Sequence, residues 1–294
     1  MKLAFREPRP PSERPAKPAL HVEDDDQSSW KSGGPGTGHT LLWIGLIIAT
    51  FSILGIVFSW DRVSAALGFD EHGGAYAEFM RTGATAYAKG TEAEYRQAIQ
   101  SFEQAKAIDP ESAQPFIAIA ETNAAWAQAL RFRREDLEAD PAPSPATRVD
   151  IEALKKEEGE RIELAMEYAR TSTKLDPTNV EALVVLADAL RLSGQLAKAR
   201  QELDRARRLQ AERPKDYHRV SALLTADENQ GDLAAARSDG ERAVDTDGSC
   251  IQCRLLLARI LIARSSVSRA REQIREVLSR APTHPDAVAL DRAL

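Results

Sequence analysis

A skeleton of small and apolar residues returns along this chain about every 34 residues, and that recurrence limits the fold more than any other feature. Its clearest copy is Tyr95-x2-Ala98-x3-Phe102-x2-Ala105-x4-Pro110. It comes back as Ala165-x3-Ala169-x2-Ser172-x4-Pro177, as Leu196-x2-Ala199-x3-Leu203-x2-Ala206 and as Leu233-x2-Ala236-x3-Gly240-x2-Ala243. The last copy is Val267-x2-Ala270-x3-Ile274-x2-Val277-x4-Pro282. Ala165 and Ala199 are 34 residues apart, Ala199 and Ala236 are 37, and Ala236 and Ala270 are 34. Steps of three and four put these residues on one face of a helix. A methyl or a hydrogen at such a face lets a second helix come close. Ahead of each copy lies another amphipathic stretch, such as Val180–Leu192, joined to the next by a turn at Gly194. The pattern predicts an all-α stack of helical hairpins.

This spacing resembles the tetratricopeptide repeat (TPR), a helix–turn–helix unit of about 34 residues. The resemblance covers residues 75–294, about five repeats, and implies a TPR helical-hairpin solenoid. The large residue early in the first helix drifts from Phe116 to Leu183, Val220 and Arg254; Asp-Pro closes only the first two units; Gly248 replaces the proline in the fourth, and Pro214 comes late in the third. Residues 285–294 read as a capping helix. The second unit carries an insertion at about 131–160. Its helices are expected over Ser112–Leu137 and, from an Asp150 cap, to Leu175, with the turn ADPAPSPA between them. Such a hairpin is expected to project by about 18 Å, with Arg131, Arg133 and Arg134 meeting Glu157, Glu158 and Glu160 across it.

What the resemblance implies for function is a concave groove, lined by the first helix of each unit, that takes proteins or peptides. Carried over position by position, the groove falls on Met80 and Tyr87, then Gln114, Ile117 and Glu121. It continues through Glu181, Val184, Asp188 and Arg191 to His218, Ser221, Thr225 and Glu228, and ends at Gln252, Leu255 and Arg259. Repeats that clamp the carboxyl terminus of cytosolic chaperones carry lysine, asparagine and arginine at such positions. Met80, Ala84, Ala118, Glu181 and Val185 stand there instead, so that clamp is not expected.

No catalytic constellation is present. His21, His39, His72, His218 and His284 are scattered without a metal-binding pair, and neither a nucleophile elbow nor a dinucleotide fingerprint occurs. No cofactor, metal or small-molecule substrate is expected. Cys250-Ile-Gln-Cys253 begins a helix after Asp247-Gly248, and two cysteines three apart in a first turn are near disulfide range. Haem attachment needs a histidine where Arg254 stands, and zinc needs a second pair of ligands. A structural disulfide, two packed thiols and a redox pair remain open.

Leu41 to Trp60 is a run of 20 residues without a charge, LLWIGLIIATFSILGIVFSW, long enough to span about 30 Å of hydrocarbon. Trp43 and Trp60 stand near its ends, where indole rings favour the headgroup interface. The 40-residue lead and the length of the run exceed a signal peptide, so an uncleaved single-pass anchor is expected, followed by a linker over 61–74. Residues 1–40, rich in Pro and Gly, read as a disordered tail; Gly33–Thr40 imitates a phosphate-binding loop but has His39 in place of its lysine.

The net charge of −6 argues against nucleic acid. It divides into −10 over residues 61–190 and +4 over 191–294. The layout, a short tail, one span and then repeats, resembles periplasmic adaptors. It leads to the expectation of a bacterial inner-membrane scaffold whose repeats face the periplasm and serve an envelope assembly. The alternative is a receptor whose repeats face the cytosol and read client peptides.

Overall fold

In a computed structural model of the chain, residues 71–209, 215–228 and 233–294 are described. The expected tail, the membrane span and the first part of the linker lie outside the described residues. Among these residues no helix is long and apolar enough to cross a membrane.

The described residues form helices and turns only. They pair as α1 (Glu71–Tyr87) with α2 (Glu92–Ile108), α3 (Ala113–Glu138) with α4 (Pro145–Leu175) and α5 (Val180–Leu192) with α6 (Leu196–Leu209). Next come α7 (Lys215–Glu228) with α8 (Leu233–Thr246), α9 (Ile251–Ala263) with α10 (Val267–Arg280), and the single α11 (Pro285–Ala293). The recurring small residues lie where the helices touch. Ala98, Ala105, Ala165, Ala169, Ala199, Ala236, Ala243 and Ala270 are fully buried. The largest apolar cluster runs from Ile117 on α3 through Leu183 and Leu203 to Val220 and Leu224 on α7, so adjacent hairpins share one continuous core.

The links between hairpins are set by short polar residues. Asp109 Oδ1 accepts the backbone N–H groups of Glu111 and Ser112, and Asp176 Oδ1 accepts that of Thr178. These carboxylates close the turns at Asp-Pro and hand the chain to the next helix. Asn179 then caps α5 through the N–H of Ala182. At Gly194 the backbone takes φ +79°, a left-handed turn open to a residue without a Cβ.

The inserted hairpin departs from expectation in two ways. Its second helix starts at Pro145, not at Asp150, because Ser144 Oγ accepts the Thr147 N–H and a proline is tolerated in a first turn. Nor does the hairpin merely project. Arg131 Nε and Arg134 Nε both reach Glu158, at 2.7 and 2.9 Å, as a cross-hairpin pair should. Arg133 instead crosses to Asp286 on α11 at 2.9 Å, while Glu157 and Glu160 pair within α4 to Arg161 and Lys156. Phe132 packs against Ala222, Leu223, Leu256 and Ile260, and Asp136 takes both amino groups of Arg259. A first helix lies on the inner side of a curved stack, so lengthening it carries it towards later hairpins.

The first and last hairpins also meet. Gln252 Nε2 donates to the backbone oxygen of Tyr87 at 3.0 Å. Gly90, in the α1–α2 turn, has φ +71°, and a Cβ there would stand 3.2 Å from His284 Nε2. The solenoid is therefore closed end to end by contacts between residues more than 150 positions apart.

Candidate functional site

The first helices of successive hairpins stand side by side: α3 touches α1 and α5, α5 touches α7, and α7 touches α9. Most of the sixteen groove positions expected on them are engaged within the protein. Met80 packs against Ala86, Ala98, Phe102 and Ile119. Asp188 and Arg191 are each 1% exposed. Arg191 holds Asp188 at 2.7 Å, Asp227 at 2.9 Å and the Gln128 side chain at 2.7 Å, and Arg219 meets Asp188 at 3.3 Å. Burial alone would raise the Asp188 carboxyl, but the Arg191 and Arg219 guanidiniums outweigh it and hold it below the ordinary value of 3.8.

In the fourth unit, Ser221 Oγ donates to Asp239 on α8 at 2.7 Å, while Thr225 and Glu228 both receive Arg200 from α6. His218 stands edge-on to Tyr217, 5.6 Å between ring centres. In the fifth unit, Gln252, Leu255 and Arg259 line a cavity of about 40 Å³ together with Tyr95, Gln128, Phe132 and Arg219. That is room for a few waters at most. Arg259 lies 4.4 Å over the Phe132 ring. Here α3 itself lies against these side chains.

Five expected positions do come together. Gln114, Ile117, Glu121, Glu181 and Val184 line an open cleft of about 120 Å³ between α3, α5 and α7, completed by Ala118, Val185 and Asp216. Its floor is apolar, with Ile117, Val184 and Val185 all under 5% exposed. Its rim is acidic. Gln114 and Glu181 are exposed, while Glu121 and Asp216 are half-buried. Glu121 is positioned by Tyr87, whose hydroxyl donates to it at 2.8 Å. Burial, and then the Glu121 charge, push the Tyr87 phenol well above its ordinary value of 10.0, so it stays a donor. Asp216 accepts Arg219 Nε at 3.4 Å. Glu181 occupies the first turn of α5, where a negative charge is favoured by the helix dipole.

Asp216 was not among the expected positions. It follows the late Pro214, in the unit where the period stretches, and only its place as the first-turn acid of α7 could have marked it.

The cysteines sit at the opposite end of the first-helix row. Cys250 and Cys253 are joined as a disulfide with Cα atoms 5.3 Å apart. Cys250 is also the N-cap of α9, accepting the Cys253 N–H at 3.1 Å, and both are buried beside Ala243 and Val244. The pair holds the first turn of α9, from which Gln252 reaches Tyr87. Among the described residues no group of three or more His, Cys, Asp or Glu could hold a metal.

Residues 158–224, from the second half of α4 into α7, match the family model of the tetratricopeptide repeat. No curated protein matches the chain. A thermophilic TPR protein of Thermus thermophilus is similar over 74% of this chain and 98% of its own, at 20% identity and a TM-score of 0.49. YrrB, a TPR protein with an unusual peptide-binding site, is similar over 65% of this chain and 79% of its own, at 17% identity and a TM-score of 0.34. Yeast Tom70 covers 73% of this chain with 39% of its own, at 17% identity and a TM-score of 0.38. The matched stretch holds the whole α5–α6 hairpin with parts of the helices on either side, and like hairpins continue it in both directions, so the described residues form an all-α solenoid of helical hairpins that is similar to tetratricopeptide repeats.

Proposed function

We propose that this protein is a membrane-anchored adaptor of the bacterial inner membrane. Its solenoid lies in the periplasm and binds partner proteins of an envelope assembly through the α3–α5–α7 cleft. The observation that carries the binding role is that cleft: five side chains from two successive first helices converge on it, while most other first-helix positions are engaged internally or covered by α3. The uncharged run Leu41–Trp60 supports the anchor. The Cys250–Cys253 disulfide supports an oxidising compartment.

Two experiments test this. A photo-crosslinking residue at Gln114 is expected to capture a discrete partner in living cells, whereas one at Glu163, exposed on α4, is expected to capture none. Equal capture from both positions, or from neither, removes the cleft as the binding surface. Protease added to spheroplasts is expected to digest the repeats while a cytosolic control survives. Protection until lysis would put the repeats in the cytosol and favour a receptor of client peptides.

A further inference from the structure

Tyr87 is held at both of its ends. Its backbone oxygen accepts Gln252 Nε2 from α9 at 3.0 Å and the Gly90 N–H at 3.1 Å, while its hydroxyl donates to Glu121 of the cleft at 2.8 Å. The first of these bonds leads back to the cysteines. We propose that Cys250–Cys253 is a redox latch on the cleft: a dithiol that reduces the pair frees Gln252, loosens Tyr87 and shifts Glu121. What this does to a partner rests on the reading above that the cleft binds one.

The disulfide ring encloses the residues that touch the first hairpin. Only Ile251 and Gln252 lie between the two cysteines. Gln252 makes the Tyr87 bond, and Ile251 Cγ2 would stand 3.6 Å from a Cβ at Gly90. The ring also closes the first turn of α9, whose leading N–H groups have no partners within the helix. Cutting the cross-link leaves that turn as the part of α9 that frays first. Glu121 also feels the charge of Arg219, so a loosened Tyr87 moves it without ejecting it from the cleft.

The two sulfurs are unequal in the way that exchange requires. Cys253 is fully enclosed, while Cys250 keeps 8% exposure and its sulfur accepts the Cys253 N–H at 3.1 Å. A thiolate of the reductant attacks Cys250 Sγ, and the Cys253 sulfur leaves and takes up a proton. The second thiol of the reductant gives up its proton and attacks the reductant's own sulfur in the mixed disulfide. Cys250 then leaves, as a thiolate favoured at a helix N-terminus, and is protonated in turn. Two electrons and two protons pass to the pair, and the reductant becomes a disulfide. In an oxidising compartment the latch rests closed, and a protein dithiol is the class of partner that opens it.

The test uses the full-length chain in nanodiscs with dithiothreitol as the reductant, and thiols counted by alkylation and mass. Exchange of the Gly90 amide, which bonds the same Tyr87 oxygen as Gln252, is expected to quicken about 5-fold on reduction. Methyl NMR is expected to show shifts at Ile117 and Val184 in the cleft and none at Leu203 on α6. Cys250→Ser/Cys253→Ser keeps a hydroxyl to cap α9 and is expected to match the reduced parent without reductant. Gln252→Ala severs the relay, so reduction is expected to move the cleft methyls no further.

A pair that stays oxidised in the folded chain overturns the proposal. So does reduction that leaves the Gly90 amide or the cleft methyls unchanged, and so do reduction-dependent methyl shifts that persist in Gln252→Ala. None of these measurements needs a partner, so the latch and the adaptor reading, which the crosslinks from Gln114 decide, fail separately.

Discussion

Asp188 is 1% exposed and has two guanidiniums to balance, which makes it the residue on which the interior of the third unit depends. Replacing one member of such a buried set leaves the others charged and uncompensated, a loss of about 3–5 kcal/mol. Asp188→Asn is therefore expected to lower stability by that amount, measured as a fall in the denaturant midpoint with the slope unchanged. A stability within about 0.5 kcal/mol of the parent would mean that the guanidiniums find other partners. His284 gives a second test at this scale. It is 2% exposed, with the Gly90 backbone against its ring and Asp286 and Arg133 nearby. Burial, against the opposing pull of Asp286, holds its pKa below the ordinary 6.5. The unfolded chain thus takes up the proton first, so this contribution to stability is full above pH 6.5 and is lost as the pH falls from there towards the folded value. His284→Gln is expected to flatten that part of the stability-against-pH curve. An unchanged slope would show that His284 does not titrate differently on folding.

The helices themselves were legible because their information is local. Small residues at three- and four-residue steps marked out α2, α4, α6, α8 and α10, and the Asp-Pro pairs located the turns after α2 and α4. The start of α4 was misplaced because Asp150 looks as good a cap as Ser144. What decides between them is that Pro145 needs no hydrogen-bonding partner at N1 and Ser144 reaches Thr147. The groove was only partly legible. The positions carried over from the repeat family include Ile117 and Val184, which line the α3–α5–α7 cleft; helical phase says only which way a position faces its own hairpin. It cannot say that α3 will lie over Gln252, Leu255 and Arg259, because that depends on the curvature accumulated over three hairpins. Ser144→Ala tests the element directly. Losing this cap is expected to cost about 1 kcal/mol or less, felt as faster hydrogen exchange over residues 145–150, with no change in α5 to α11. Uniformly faster exchange along the whole chain would instead show that the inserted hairpin and the remaining repeats open as one unit.

A stack of repeats in which each hairpin meets only its neighbours unfolds from its ends, with a stability that sums over units and their interfaces. This molecule breaks that condition. Gln252 to Tyr87, Arg133 to Asp286, and Phe132 among Leu223, Leu256 and Ile260 tie the early hairpins to the late ones. Such long-range contacts form only after the intervening chain is ordered, so they favour all-or-none behaviour over fraying. The Cys250–Cys253 disulfide fixes the turn of α9 that carries Gln252, placing one anchor of the closure on a covalently held element. The double variant Phe132→Ala/Gln252→Ala removes one apolar and one polar tie while leaving every hairpin's own core intact. Hydrogen exchange on the full chain is expected to show α9 to α11 exchanging with α1 and α2 in the parent. In the variant, α9 to α11 should exchange sooner, by an opening of their own, with α3 to α6 little affected. If the two ends still exchange together in the variant, the shared core running from α3 to α7 transmits cooperativity by itself, and end-to-end closure is a consequence of the solenoid's curvature rather than a contributor to its stability.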